Sequence, residues 1–259
     1  MAELAIRTTL KMLREQSHVG SSPTFGTMNN IKRYKPKRVQ SFVLSAELAY
    51  VVGLLVTDGC LSSDGRHIIF TSNDIESIGN VIRILKLKNI IGFTRNKTSE
   101  VYRIQITNVQ LYDWLIKIGL SPAKSLTIGE INVPDKYFVD FLRGHLDGDG
   151  SITTYTDRYN TKKNIKYVYE RIFTTFISAS KKHILWLRDR IICNLEVKGS
   201  IHKTKINNTS PNPIYIIKYG KKESIKLLAK IYYSNKIPCL SRKKIKYEKY
   251  YKKTPPLQT

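Results

Sequence analysis

Cysteine is scarce in this chain. Cys60, Cys193 and Cys239 are odd in number, far apart and form no Cys-x-x-Cys pair, which argues against a disulfide framework or a thiolate zinc site and fits reduced thiols inside a cell. Long apolar runs are also missing. The stretch over residues 42 to 56 falls short of the roughly 20 residues that a membrane span requires, and it runs into Asp58-Gly59. Residues 1 to 17 mix Glu and Arg and have neither a long apolar core nor a small-residue cleavage site, so they do not read as a secretory signal. The expected setting is intracellular, in an organelle or in a bacterial or archaeal cytoplasm. Acids are outnumbered as well: 20 Asp plus Glu face 44 Lys plus Arg, a formal net charge of +24. Such an excess exceeds what solubility needs and predicts a polyanionic partner, nucleic acid or an anionic membrane surface.

What is present has an order. Residues 1–44 lack apolar periodicity and carry Gly20-Ser21-Ser22-Pro23 and the basic run Lys32 to Arg38, so they are expected to form a flexible basic leader. From Ser45, an N-cap candidate, a helix is predicted through Asp58 with Gly59 as a left-handed stop. A hairpin turning at Asp64-Gly65 follows, then a helix with Ile75, Ile78, Val81, Ile82 and Leu85 at helical spacing, strands over 91–95 and 101–107, and a helix over 109–118. The same succession returns after a connector. It comprises a helix over 135–149, a longer hairpin over 151–155 and 167–178, an amphipathic helix over 181–195, strands over 197–203 and 214–219, and a helix over 222–233. The fold class is therefore α+β, built from two pseudo-symmetric αββαββα repeats, the first over 45–125, a connector over 126–134 and the second over 135–253 with a basic C-terminal segment.

Each repeat opens on one pattern, an apolar run, a small residue and then Asp-Gly: Val51 to Gly59 in the first, Leu142 to Gly150 in the second. Gly53 and Thr57, like Gly144 and Gly148, are four apart and share a helical face along which two helices can approach closely. If they pack on each other, Asp58 and Asp149 meet at the C-terminal ends. A carboxylate is poorly placed there, because the helix end already carries partial negative charge and the two acids repel. A divalent cation with oxygen ligands is the natural compensation. Asp64-Gly65 shows the same dipeptide serving only as a turn; the matched positions in matched units are what set the other two apart.

These two nonapeptides resemble the LAGLIDADG signature, with Gly third, Asp eighth and Gly ninth in both, and the resemblance extends over about residues 45–250. The first copy departs at its sixth position, where Val56 replaces an acid. The chain resembles a single-chain, two-repeat LAGLIDADG homing endonuclease. The resemblance implies motif helices at a central interface and two antiparallel sheets forming a saddle on double-stranded DNA with a long, largely asymmetric site. It also implies a monomer that cuts both strands and leaves short 3′ overhangs. It assigns Asp58 and Asp149 as catalytic metal ligands, with the carbonyls of Thr57 and Gly148 as further ligands. Mg2+ is the expected metal, with Mn2+ able to substitute and Ca2+ binding without supporting cleavage. Lys124 matches the family's active-site lysine. Its counterpart lies in Leu240-Ser241-Arg242-Lys243, where Arg242 is preferred and Lys243 is the alternative.

Outward-facing strand and hairpin residues are expected to contact DNA. They are Arg66, Arg95, Lys97 and Arg103 in the first repeat. In the second they are Tyr155, Arg158, Lys162, Lys163, Lys166, Tyr167, Tyr169 and Arg171, joined by Lys243 and the Lys- and Tyr-rich run that follows it. Polar residues ending the second strand of each unit, Asn73 or Asp74 and Ser178 or Ser180, are expected to position water or to cap the next helix. The same family architecture also serves group I intron maturases, RNA-binding splicing factors, which is the alternative function.

Overall fold

The computed structural model describes residues 42–95, 100–162, 164–204 and 212–253. The leader expected over residues 1–44 falls almost wholly outside them, as do Lys97 and Lys163. From Phe42 onward the chain packs as one unit.

Helix α1 (Ala46–Asp58) leads into strands β1 (Gly59–Leu61) and β2 (His67–Ser72), helix α2 (Ile75–Leu85), strands β3 (Gly92–Arg95) and β4 (Glu100–Thr107), and helix α3 (Val109–Lys117). The second half repeats the order with α4 (Asp135–Asp147), β5 (Ser151–Asp157), β6 (Tyr169–Ser178), α5 (Lys181–Leu195), β7 (Ser200–Lys203), β8 (Tyr215–Tyr219) and α6 (Lys221–Ile231), and then adds α7 (Ser241–Lys253). Each half forms a four-stranded antiparallel sheet of identical topology, β1-β2-β4-β3 and β5-β6-β8-β7.

Local chemistry accounts for most of these elements. Ser45 caps α1, its Oγ accepting from Leu48 N at 3.2 Å, and Asn108 and Ser180 cap α3 and α5 in the same way. The hairpin between β1 and β2 turns at Gly65, whose φ of +75° explains the glycine, and Asp64 accepts from the amides of Arg66 and His67 at 3.1 Å each. Alternation then sorts the sheets. Ile68, Phe70, Ile104 and Ile106 face the helices and are buried, and Ile152, Ile172, Phe176 and Ile217 do so in the second sheet.

The structure corrects three boundaries. Gly59 is not a left-handed helix stop. It is extended, with φ −86° and ψ 150°, and pairs directly with Phe70 as the first residue of β1. Glycine is required there by proximity, since a Cβ would stand 2.5 Å from Leu55 O. The motif helix of the second repeat stops at Asp147 instead of reaching Asp149, so Asp149 follows a turn at Gly148. The Lys- and Tyr-rich C-terminal run forms the helix α7, which buries Lys243, Tyr247 and Tyr250 at helical spacing.

Helices α1 and α4 cross in close contact. A Cβ on Gly53 would collide with Phe141 O and come within 2.7 Å of His145 N, and one on Gly144 would collide with Tyr50 O. No side chain separates the two backbones at this point. That close crossing brings the C-terminal ends of α1 and α4 together.

Candidate active site

Asp58 ends α1 and Asp149 follows the turn after α4. They are near enough that the charge of Asp149 helps to push the carboxyl of Asp58 up. Burial is the larger cause, and together they raise Asp58 to about 6, opposed by the Thr57 hydroxyl and by Lys243 and Lys124. Asp149 is more open to solvent. Its pKa is also raised, by desolvation, against the pull of Lys124 and Lys243. The turn that leads to Asp149 packs tightly on the end of α1: a Cβ on Gly148 would collide with Thr57 Oγ1 and stand 2.7 Å from Asp58 Oδ2.

Two lysines flank the acids in matching positions. Lys124 Nζ donates to Gly59 O at 2.5 Å and lies 3.4 Å from Thr57 O. Lys243 Nζ donates to Leu146 O at 2.6 Å, Gly150 O at 2.7 Å and Asp147 O at 2.8 Å, with Gly148 O at 3.4 Å. Each ammonium thus bridges the carbonyls immediately before and after its repeat's motif aspartate. Among the acceptors, Thr57 O, Leu146 O and Asp147 O lie in the last turns of α1 and α4, where a helix end leaves carbonyls without intrahelical partners. A cation there offsets the negative end of the helix dipole, which the two aspartates aggravate. Both lysines are buried, and burial pulls their pKa values down, that of Lys243 to about 8.

This geometry corrects the reading of the C-terminal segment. The counterpart of Lys124 is Lys243, not Arg242. The Arg242 guanidinium instead grips Asp74, with Nε at 2.9 Å from Oδ1 and Nη2 at 2.6 Å from Oδ2, at the rim of a cleft of about 430 Å³ that Asp58 and Gly148 also line. Lys243, also expected on the DNA-facing surface, is withdrawn from it: it is 3% exposed and its ammonium donates to carbonyls. Asp74 occupies the N-cap position of α2 but its side chain makes no cap hydrogen bond, the carboxylate being turned to Arg242, whereas Ser180 both caps α5 and donates its hydroxyl to Ile128 O at 2.5 Å. Ser178 Oγ accepts from Ser180 N at 3.1 Å.

Sequence reasoning missed Asp147, the sixth residue of the second motif. It is buried, and its Oδ2 accepts from Tyr50 Oη at 3.0 Å and from Leu240 N at 2.8 Å. It therefore ties α1, α4 and the segment carrying Lys243 into one cluster. Burial holds its carboxyl at about 6 against the pull of Lys243. The signal was the mismatch between Val56 and Asp147 at equivalent positions. His145 and His183 stack beside this cluster with Nε2 atoms 3.1 Å apart, and His183 Nδ1 donates to Gly129 O at 2.7 Å. Burial lowers His183 to about 4 and holds His145 well below its usual value, so both are neutral.

The surfaces flanking this centre are the solvent faces of the two sheets. Arg103 is exposed in the middle of β4, Arg66 projects from the β1–β2 turn and Arg95 pairs with Glu100 at the end of β3. On the second sheet Tyr155 and Arg171 are cross-strand neighbours, Arg171 pairs with Asp157 at 3.1 Å and lies over Tyr169, and Tyr167 stacks on Tyr169. Arg158, Lys162 and Lys166 are exposed along the connecting hairpin loop.

A divalent cation suits this donor set. The ligands on offer are hard oxygens, two carboxylates and the carbonyls of Thr57 and Gly148. Among the described residues no third His, Cys, Asp or Glu completes a cluster with them. Few protein ligands of this kind match a cation such as Mg2+, which keeps several waters. Among the described residues no helix is long and apolar enough to cross a membrane.

No family model and no curated protein matches the chain. Solved structures do. The meganuclease I-SmaMI bound to uncleaveable DNA is similar with a TM-score of 0.53 at 15% identity, over 78% of this chain and 88% of that one. I-DmoI in complex with DNA and Ca is similar with a TM-score of 0.50 at 16% identity, over 78% of this chain and 97% of that one. Full-length DUF199/WhiA from Thermatoga maritima has a TM-score of 0.50 at 16% identity, over 85% of this chain and 65% of that one. At these identities the likeness speaks to architecture, and with the repeated sheets and crossed motif helices it shows that the chain has the LAGLIDADG fold.

Proposed function

We propose that this protein is a site-specific, metal-dependent DNA endonuclease of the homing type. The observation that carries the reading is the pairing of Asp58, the last residue of α1, with Asp149, just past the end of α4, the two helices crossing without intervening side chains and each acid having a lysine on its flanking carbonyls. For stability alone this is a poor arrangement, since two partly desolvated acids face each other at negative helix ends. It becomes favourable when a cation and a phosphate join them.

Asp58, Asp149 and the carbonyls of Thr57 and Gly148 would hold Mg2+, whose Lewis acidity acidifies bound water and relieves charge on a departing oxygen. Lys124 and Lys243 hold the backbone on either side of each acid and keep positive charge beside the developing phosphorane. The close crossing at Gly53 and Gly144 sets the spacing of the two acids, and thereby which phosphates of the two strands are reached. Arg103, Arg66 and the aromatic and basic face around Tyr155 and Arg171 supply phosphate and base contacts on the saddle. The overall charge of +24 steers DNA onto it.

The test is cleavage of a plasmid carrying the uninterrupted host locus with Mg2+, comparing wild type with Asp58→Asn and Asp149→Asn. The expected result is linear product from wild type and none from either variant, with DNA binding retained by both. If wild type cuts no candidate target and the protein instead promotes splicing of its intron, the endonuclease reading fails in favour of the maturase.

A further inference from the structure

Two contact networks relate the repeats in a way that the pairing of the motif helices does not require. Asp74 and Glu76, at the start of α2 in the first repeat, hold the start of α7 in the second. Asp74 grips Arg242 through both carboxylate oxygens, and Glu76 accepts from Ser241 N at 2.9 Å and from Ser241 Oγ at 2.5 Å. Asn80, one turn further along α2, donates to Cys239 O at 3.4 Å. All of these contacts close on the stretch that delivers Lys243. Glu76 is well placed for this, because a carboxylate at a helix start satisfies free amides and the positive end of the dipole.

The reverse arrangement holds Lys124. Ile128 N donates to Lys124 O at 2.8 Å, closing one turn that begins at the lysine. The far end of that turn is pinned from the second repeat at the start of α5. Ser180 Oγ donates to Ile128 O at 2.5 Å and His183 Nδ1 to Gly129 O at 2.7 Å. The start of α5 is the structural equivalent of the start of α2: in each the N-cap amide, of Asp74 or Ser180, donates at 3.1 Å to a serine hydroxyl two residues earlier.

We propose that the two half-sites are cross-positioned: Asp74 and Glu76 of the first repeat position Lys243 of the second, and Ser180 and His183 of the second position Lys124 of the first. These are positioning residues, acting through the lysines and touching no substrate. Each half-site is incomplete without the other repeat, so disturbing one helix start disables the lysine on the opposite side of the pseudo-twofold axis. The catalytic consequence rests on the proposed nuclease reading; the structural consequence does not.

The experiment uses the full chain with two variants, Asp74→Asn/Glu76→Gln and Ser180→Ala, and two readouts. In the first, lysines are acetylated with a water-soluble N-hydroxysuccinimide ester and quantified by mass spectrometry. The double variant should label Lys243 several-fold faster with Lys124 unchanged, and Ser180→Ala should do the reverse. Equal acceleration of both lysines, which general loosening would cause, overturns the proposal, as does no change at either. Glu76→Gln alone serves if the double variant does not fold. In the second, nicking of each strand is followed separately on the target that wild type cuts. The two variants should slow opposite strands and accumulate nicked circles; slowing of both strands equally contradicts the proposal. A wild type that cuts nothing while labelling still separates the lysines refutes the nuclease reading and leaves cross-positioning standing.

Discussion

Gly53 and Gly144 meet backbone to backbone: a Cβ on Gly144 would stand 3.1 Å from Gly53 Cα and would overlap Tyr50 O. Because the obstruction is main chain on a packed helix, it cannot swing aside as a flexible side chain would. Gly144→Ala and Gly53→Ala should therefore destabilise the protein by about 1–3 kcal/mol or more, despite alanine's better helix propensity. Urea denaturation with an unchanged m-value checks this, and a gain in stability for either variant would refute the close crossing.

The raised carboxyl of Asp58 predicts a pH-dependent cost. Its pKa is about 6 in the fold and near 4 when unfolded, so between these values the native state binds more protons and stability falls as pH rises. Asp58→Asn should accordingly be more thermally stable than wild type at pH 7 in chelating buffer, by roughly 1–2 kcal/mol once solvent screening is allowed for, with the gain vanishing below about pH 4. The neutral His145 and His183 act in the opposite direction, favouring the fold above about pH 6.5, but they are common to both proteins and cancel in the comparison. Differential scanning calorimetry at several pH values measures the difference, and adding Mg2+ should reverse its sign.

Removing the lysines should cost unequal amounts. Lys243 serves three carbonyls within 2.8 Å, whereas Lys124 serves one closely and a second at 3.4 Å. Lys243→Met should therefore lower stability by roughly 2 kcal/mol or more, and by more than Lys124→Met, because it strands more buried acceptors. Both variants should lose cleavage. The order of denaturation midpoints decides the point.

Arg66 and Arg103 should separate in DNA binding. Arg66 sits at an exposed turn with Asp64 3.8 Å away, so Arg66→Ala should reduce the slope of log affinity against log salt by about 0.9, the loss of one phosphate contact, without altering sequence preference. Arg103 lies in the centre of the sheet face, and Arg103→Ala should relax preference at particular bases. Fluorescence anisotropy with Ca2+ in place of Mg2+ measures both on the intact target.

Much of this molecule is written locally. The periodicity of Ile75, Ile78, Val81, Ile82 and Leu85, the Ser45 cap, the Asp64-Gly65 turn and the alternation of β2 and β4 are short-range effects, so both repeats and both motif aspartates could be read from the residues themselves. Helix α7 was missed because its buried stripe, Lys243, Tyr247 and Tyr250, is not conventionally apolar, although its spacing was visible. What only the tertiary structure decided was the partnership of neighbours that look alike. Arg242 and Lys243 are adjacent cations at the start of one helix, where a rotation of about 100° per residue points one at Asp74 and the other at the carbonyls around Asp149. Asp147 likewise acquires its role only when α1 brings Tyr50 against it and the chain returns at Leu240. Composition and period determine which elements form and which faces they bury; the close crossing of two glycines determines which charges meet.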